Sequence, residues 1–328
     1  MLEVLLPWQE KVLHKLRHAH ELRPMHAQLW ITPVAYGTAA LIQNWLLGLM
    51  CHGTATVQPC GQCEDCRWVI AHTHPDIFWL SARESEDQIR IDAVRELCAF
   101  VDRTSARHGR RAVVVEQAHR LNEHAANALL KSLEEPGLET LFVLLTDRPV
   151  GVMPTIRSRC GVYHLPAPER SEVLDWLRGR FDRSDSQLIQ AMAYGRSMPE
   201  QTELILEKNW LSQIEGLWTG MKQLAHKKTQ PSVVVAGCKE LWQESLLADV
   251  LMQWTEDLIR TNSQIDGSFL QHPELYPDYT QMTVRQSRAV EQIWGIWRSL
   301  VRVRDDLNGN IQPALCYERI LSNFSALF

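Results

Sequence analysis

Four cysteines stand in the pattern C-x8-C-x2-C-x2-C, at Cys51, Cys60, Cys63 and Cys66. The other four of the eight, Cys98, Cys160, Cys238 and Cys316, are scattered through separate periodic segments. In a reducing compartment such a cluster suits structural zinc better than disulfides, because short Cys-x2-Cys turns aim two sulfurs at one tetrahedral ion. His52, His72 and His74 lie near enough for one to replace a cysteine. Four sulfurs would close the coordination sphere and leave no position for a reacting water, so the chemistry expected is that of a Zn2+ staple. Four reduced thiols in a surface loop is the plainer alternative.

A second constellation lies just upstream. His26-Ala-Gln-Leu-Trp-Ile31 is short and apolar enough for a buried strand, and Thr38 to Leu49 reads as a helix. Between them runs Thr32-Pro-Val-Ala-Tyr-Gly37, a turn where a phosphate-binding loop would sit. Such a loop needs glycines for close backbone approach, a lysine for the phosphates and a Ser or Thr for magnesium. Here Thr38 and Ala39 stand where the lysine and the hydroxyl would be.

The elements around these residues alternate. Arg111 to Glu116 reads as a buried strand ending in an acid, and Asn122 as a helix N-cap. Ala126, Leu129, Leu130 and Leu133 then line one helical face, and the helix stops at Glu134-Glu135-Pro136-Gly137. Leu141 to Leu145 is another apolar strand, ending at Thr146. Strands alternating with helices predict an α/β domain with a parallel sheet, whose ligands bind beyond the C-terminal strand ends. The turn after Ile31, Glu116 and Thr146 all belong at that edge.

Composition is that of a globular protein: 45% hydrophobic and 22% charged residues over 328 positions, room for two or three domains. No long uncharged apolar run is present, and MLEVLLPWQEKVLHK gains charges too early for a signal peptide, which points to the cytoplasm. A net charge of -5 opposes nucleic-acid binding carried by bulk electrostatics. The basic run from Arg103 to Arg111 is expected to be a solvated turn rather than a DNA contact.

"VVVEQAHRLNEHAANALLKSLEEP" followed by "TIRSRCGVYHLP" resembles the clamp-loader branch of the AAA+ ATPases. The cysteine insert, with "HTHPD" and "IRIDAVREL" after it, resembles that of the bacterial members, and "LNGNIQPAL" resembles part of their C-terminal helical domain. The resemblance implies an AAA+-like fold and also shows what is missing. The strand-end acids that hold magnesium and activate water are usually Asp-Glu; here they are Glu116-Gln117, a degenerate Walker B. Thr32 and Ala35 stand where glycines give phosphates room, and Thr38 and Ala39 remove the lysine and the magnesium ligand around Gly37, a degenerate P-loop. Such a chain is expected neither to bind nor to hydrolyse ATP.

The resemblance further implies that Arg159, in Ser158-Arg159-Cys160, is an arginine finger acting in trans on the ATP site of a neighbouring gamma/tau subunit. A local salt bridge is the alternative, and Arg157 is a weaker candidate. Arg196, at a second-domain sensor position, is expected to be structural, and Thr146 to have no phosphate to sense. Partners implied are gamma/tau and delta clamp-loader subunits, the sliding clamp weakly or indirectly, and primed DNA through the assembly. Three domains are expected: 1–165, α/β with the zinc module at 51–66; 166–207, a small helical lid; and 208–328, a helical collar carrying the apolar stripe Ile293, Ile296, Trp297, Leu300 and Val301. The stretch 262–279 is expected to be a loop. An active ATPase with an eccentric loop, or a zinc-ribbon DNA-binding protein, would be the other classes.

Overall fold

The structure, a computed structural model, describes residues 4–33, 36–52, 59–82, 88–107, 109–137, 139–243, 246–284, 289–306 and 313–327. Ala35 therefore lies outside the described residues. The chain divides into two compact units, Met1–Glu172 and Val173–Phe328.

In the first unit, helix α1 (Pro7–Leu22) precedes strand β1 (Ala27–Ile31), α2 (Thr38–Met50) and α3 (Glu64–Ile70). Next come β2 (Ile77–Leu80), α4 (Ile91–Val101), β3 (Arg111–Val115) and α5 (Glu123–Glu134). The unit continues with β4 (Thr140–Thr146), α6 (Pro154–Arg157) and β5 (Gly161–His164). The five strands form one parallel sheet in the order β2-β3-β4-β1-β5. β3 and β4 are buried along their whole length, as strands covered on both faces must be. One face holds Leu29, Val113, Val115, Phe142 and Leu144 against Val94 and Leu97 of α4 and Leu129 and Leu133 of α5.

Local chemistry sets the boundaries. Asn122 caps α5 by accepting the Ala125 N–H at 2.9 Å, and Gly137 beyond its end has the positive φ of 70° that a side chain would strain. β1 stops at Ile31, where the Thr32 N–H donates to Thr146 O at 2.9 Å, so the turns after β1 and β4 are tied together at the sheet's C-terminal edge.

Helix α7 (Arg170–Arg180) leads into the second unit, followed by α8 (Asp185–Tyr194), α9 (Pro199–Glu207), α10 (Trp210–Ala225), α11 (Pro231–Gly237) and α12 (Lys239–Gln243). Then come α13 (Leu246–Asn262), α14 (Tyr276–Val284), α15 (Ala289–Asp306) and α16 (Pro313–Ser325). Trp254 of α13 centres the core and meets Tyr194, Trp218 and Phe324 edge-on. The expected stripe on α15 is largely internal: Ile293, Ile296 and Leu300 are buried.

The stretch 262–279 departs from the expected loop, because α14 begins within it at Tyr276 and buries Tyr279 completely. The rest is held from beneath by Asp257, whose two carboxylate oxygens accept the N–H groups of Gln271 (2.9 Å) and His272 (2.8 Å). No helix among the described residues is long and apolar enough to cross a membrane.

Candidate metal centre and a nucleotide-type turn

Cys51 ends α2, Cys63 caps α3, and Cys60 and Cys66 lie beside them. The four sulfurs are all within 4.8 Å of one another, with Cys60 Sγ 3.9 Å from Cys66 Sγ. A tetrahedral zinc with ~2.3 Å bonds needs sulfurs about 3.8 Å apart, so the cluster fits the ion with little adjustment. Backbone N–H groups already point at the sulfurs: Cys60 N at Cys51 Sγ (3.3 Å), Cys63 N at Cys60 Sγ (3.3 Å) and Cys66 N at Cys63 Sγ (3.4 Å). Donors from Gln62 and Cys63 hold the Cys60 thiol down to about 6, whereas burial pushes the Cys66 thiol up. A bound dication would supply the charge that lets the buried sulfur ionise. The nearby histidines are engaged elsewhere: His72 packs on Trp79 with ring centroids 5.0 Å apart, and His74 faces Asp65.

Around the cluster runs a polar network that sequence reasoning missed. Asp76, almost wholly buried, accepts Ala106 N–H (2.7 Å), Arg107 N–H (3.0 Å) and the Ser105 hydroxyl (3.0 Å). The Arg107 guanidinium donates to Glu64 (2.8 Å) and Asp65 (3.3 Å) of α3 and lies 4.7 Å above the Trp68 ring. Arg110 reaches Leu49 O at 3.2 Å, and Arg111 is buried with Nη1 on the carbonyls of Val101 (2.6 Å) and Arg103, capping the C-terminus of α4. Residues 102–104, 106, 107, 109 and 110 are exposed, as expected of a solvated turn, and Arg111 is the buried member of the basic run among the described residues. From that exposed turn Arg107 and Arg110 reach the cysteine module, and Arg111 holds the end of α4.

At the opposite, C-terminal edge of the sheet, two carbonyls of the turn before α2 are held by a side chain of α1. Gln9 of α1, fully buried, donates through Nε2 to the carbonyls of Tyr36 (3.0 Å) and Gly37 (2.7 Å). Gly37 has φ 75° and leads into Thr38 at the helix start. The Tyr36 ring is buried, which pushes its hydroxyl up to about 12. Thr32 is buried and Ala39 is exposed, and neither Thr38 nor Ala39 at the helix start carries a charge. Glu116 is raised by burial, and Gln117 adopts a left-handed φ of 53°. The Thr146 hydroxyl accepts the Arg148 N–H at 3.0 Å and pairs with His119 Nδ1 at 3.0 Å, turned into the protein.

Arg159 follows α6 at the surface, with its Nε donating to Glu134 Oε1 at 2.6 Å. Its Nη1 reaches Thr155 O at 3.0 Å and Ser158 Oγ at 3.4 Å. Arg157 is exposed. In the second unit, Arg196 sits in a strained turn, with positive φ at Arg196 and Ser197, and faces Glu256 across 3.9 Å.

Comparison with known proteins gives the family. Residues 8–169 match the family model described as DNA polymerase III, delta subunit. The chain is 34% identical over 258 residues to the DNA polymerase III subunit delta' of Pseudomonas aeruginosa, covering 77% of each protein. It is 28% identical to that of Haemophilus influenzae, covering 80% of each. A 166-residue stretch is 31% identical to the subunit tau of Escherichia coli, half of this chain and 25% of that one. Among solved structures, a gamma subunit-related protein of Thermotoga maritima aligns with a TM-score of 0.51 at 17% identity, over 96% of this chain and 98% of that one, a likeness of fold. At these identities and coverages the chain is a member of the DNA polymerase III subunit delta' family.

Proposed function

We propose that this chain is a non-hydrolysing subunit of a bacterial clamp loader, working in the cytoplasm with gamma/tau and delta subunits to place the sliding clamp on primed DNA. The observation that carries the reading is the replacement of the reacting groups: Thr38, Ala39 and Gln117 stand where the lysine, the magnesium hydroxyl and the water-polarising acid would be. A phosphate-binding turn presents backbone N–H groups to the ligand and relies on the lysine and the metal for the remaining charge. Gln9 holds only the carbonyls of this turn, from the side of α1.

Arg159 remains able to act on another chain's nucleotide. It is partly exposed, and a guanidinium supplied in trans stabilises charge growing on a transferred phosphoryl group. In this reading the α/β domain, 1–165, presents Arg159; a lid, 166–207, and a collar, 208–328, hold the subunit in its ring. Zn2+ bound by Cys51, Cys60, Cys63 and Cys66 would act as a staple, with α3 held in place beside it by the Arg107 pairs to Glu64 and Asp65. The arginines at 107, 110 and 111 are spent on protein contacts, which weighs against a zinc-ribbon DNA-binding role.

Calorimetric titration of the isolated chain with Mg-ATP tests the silent site, and co-elution with gamma/tau and delta tests the assembly. The reading predicts no nucleotide heat and one hetero-oligomeric peak. Saturable ATP binding, or a chain that elutes alone, would contradict it.

A further inference from the structure

Glu134 is the last residue of α5. Helix C-termini carry partial negative charge, so a carboxylate there is unfavourably placed unless a cation answers it. Arg159 is that cation. Its Nε and Nη2 both face Glu134 Oε1, and its Nη1 is shared between Thr155 O and Ser158 Oγ. A guanidinium has five N–H donors. Nε–H, one hydrogen of Nη2 and both of Nη1 are thus committed within the chain, and a single Nη2 hydrogen is left over. Phosphate oxygens bind arginine best through two parallel N–H donors, which this parked arrangement does not offer.

We infer that Glu134 is a latch for Arg159, a positioning residue that holds the guanidinium off until a neighbouring subunit's nucleotide competes for its Nε/Nη2 edge. The inference rests on the arginine-finger reading above. Both side chains are partly exposed, at 34% for Arg159 and 50% for Glu134, so the latch is weak enough to open. Exchange requires no covalent step: one acceptor, the carboxylate, is replaced by another, a phosphate oxygen. The carboxylate left behind returns to solvent. Competition of this kind acts on the affinity of the neighbour's site and leaves the chemical step alone.

The test uses clamp loaders reconstituted with wild-type chain, Glu134→Gln, or Arg159→Ala, and measures ATP hydrolysis against ATP concentration with clamp and primed DNA. Size-exclusion profiles and melting of each variant chain establish normal folding and assembly. For E134Q the expected result is a KM for ATP lowered about two- to fivefold, the weight of one exposed ion pair, with kcat unchanged. A KM unchanged or raised, or a fall in kcat, overturns the latch. If R159A lowers the rate while E134Q leaves KM unchanged, the finger stands and the latch fails. If R159A has no effect in a normal assembly, both fail. Glu134→Asp, which keeps the charge on a shorter stem, should fall between wild type and E134Q.

Discussion

Replacing Asp76 by Asn should release the segment that ties the cysteine module to the sheet. In the folded chain Oδ1 of Asp76 accepts Ala106 N–H at 2.7 Å, and Oδ2 accepts Arg107 N–H at 3.0 Å and the Ser105 hydroxyl at 3.0 Å. An Asn side chain keeps one oxygen and presents an NH2 group in place of the other. Ser105 adapts by rotating its hydroxyl to accept. The Arg107 N–H then faces another donor and keeps only its longer bond to Ser105 Oγ at 3.3 Å, a loss of about 1 kcal/mol. The surviving bond to Ala106 changes from a charged to a neutral acceptor and loses about 1 kcal/mol more. The sum is about 2 kcal/mol from the first unit. Urea unfolding measures it, and hydrogen exchange locates it: amides of Ala106 and Arg107 should exchange faster than in wild type, while those of β4 keep their protection. A loss below about 0.5 kcal/mol, with unchanged exchange at 105–107, would refute the claim that this carboxylate holds the loop.

Cys63→Ser should lower bound zinc, read by elemental analysis, from about one ion per chain to near zero and reduce the melting temperature of the first unit, since metal affinity is folding energy here. Glu116→Gln should stabilise the chain at pH 7.5: burial raises the folded carboxyl above its ordinary value of 4.5, so the ionised form favours the unfolded chain. The wild-type residue's contribution is fully present below 4.5 and is lost as pH rises through the folded value, so melting curves of the two proteins should converge as pH falls towards 4.5. Thr38→Lys with Ala39→Thr should still give no ATP hydrolysis in a phosphate-release assay, because Gln117 leaves the second strand-end position without a carboxylate to polarise water.

Much of the first unit is legible in the sequence because its signals are local. Apolar runs mark β1, β3 and β4, Asn122 marks a cap, and four cysteines at short spacing mark their own cluster. What was not legible depends on contacts between segments with no motif of their own. Gln9 lies in an ordinary amphipathic helix, and only the fold brings its amide to a turn 27 residues away. Arg111 begins a strand and reads as a surface charge, yet the C-terminus of α4 presents carbonyls that draw it inside. Asp76 and Arg107 are 31 positions apart and join only because β2 and β3 are neighbours in the sheet. The pattern 262–279 hid the start of α14 because Tyr276-Pro277 reads as a turn, although a proline is well accommodated in a helix's first turn.

The central claim is that a chain whose own nucleotide-type turn has Thr38 and Ala39 in place of the reacting groups serves its neighbour's site. The most direct measurement is single-turnover ATP hydrolysis by a clamp loader reconstituted with Arg159→Ala, with clamp and primed DNA present and assembly verified by mass. Removing an arginine finger costs about 10³–10⁵ at the site it serves. The account therefore predicts that the hydrolysis phase belonging to the adjoining gamma/tau site is lost, while the remaining phases and the subunit composition are kept. Full-amplitude, wild-type hydrolysis by a complete assembly would contradict it and leave Arg159 as Glu134's surface partner alone.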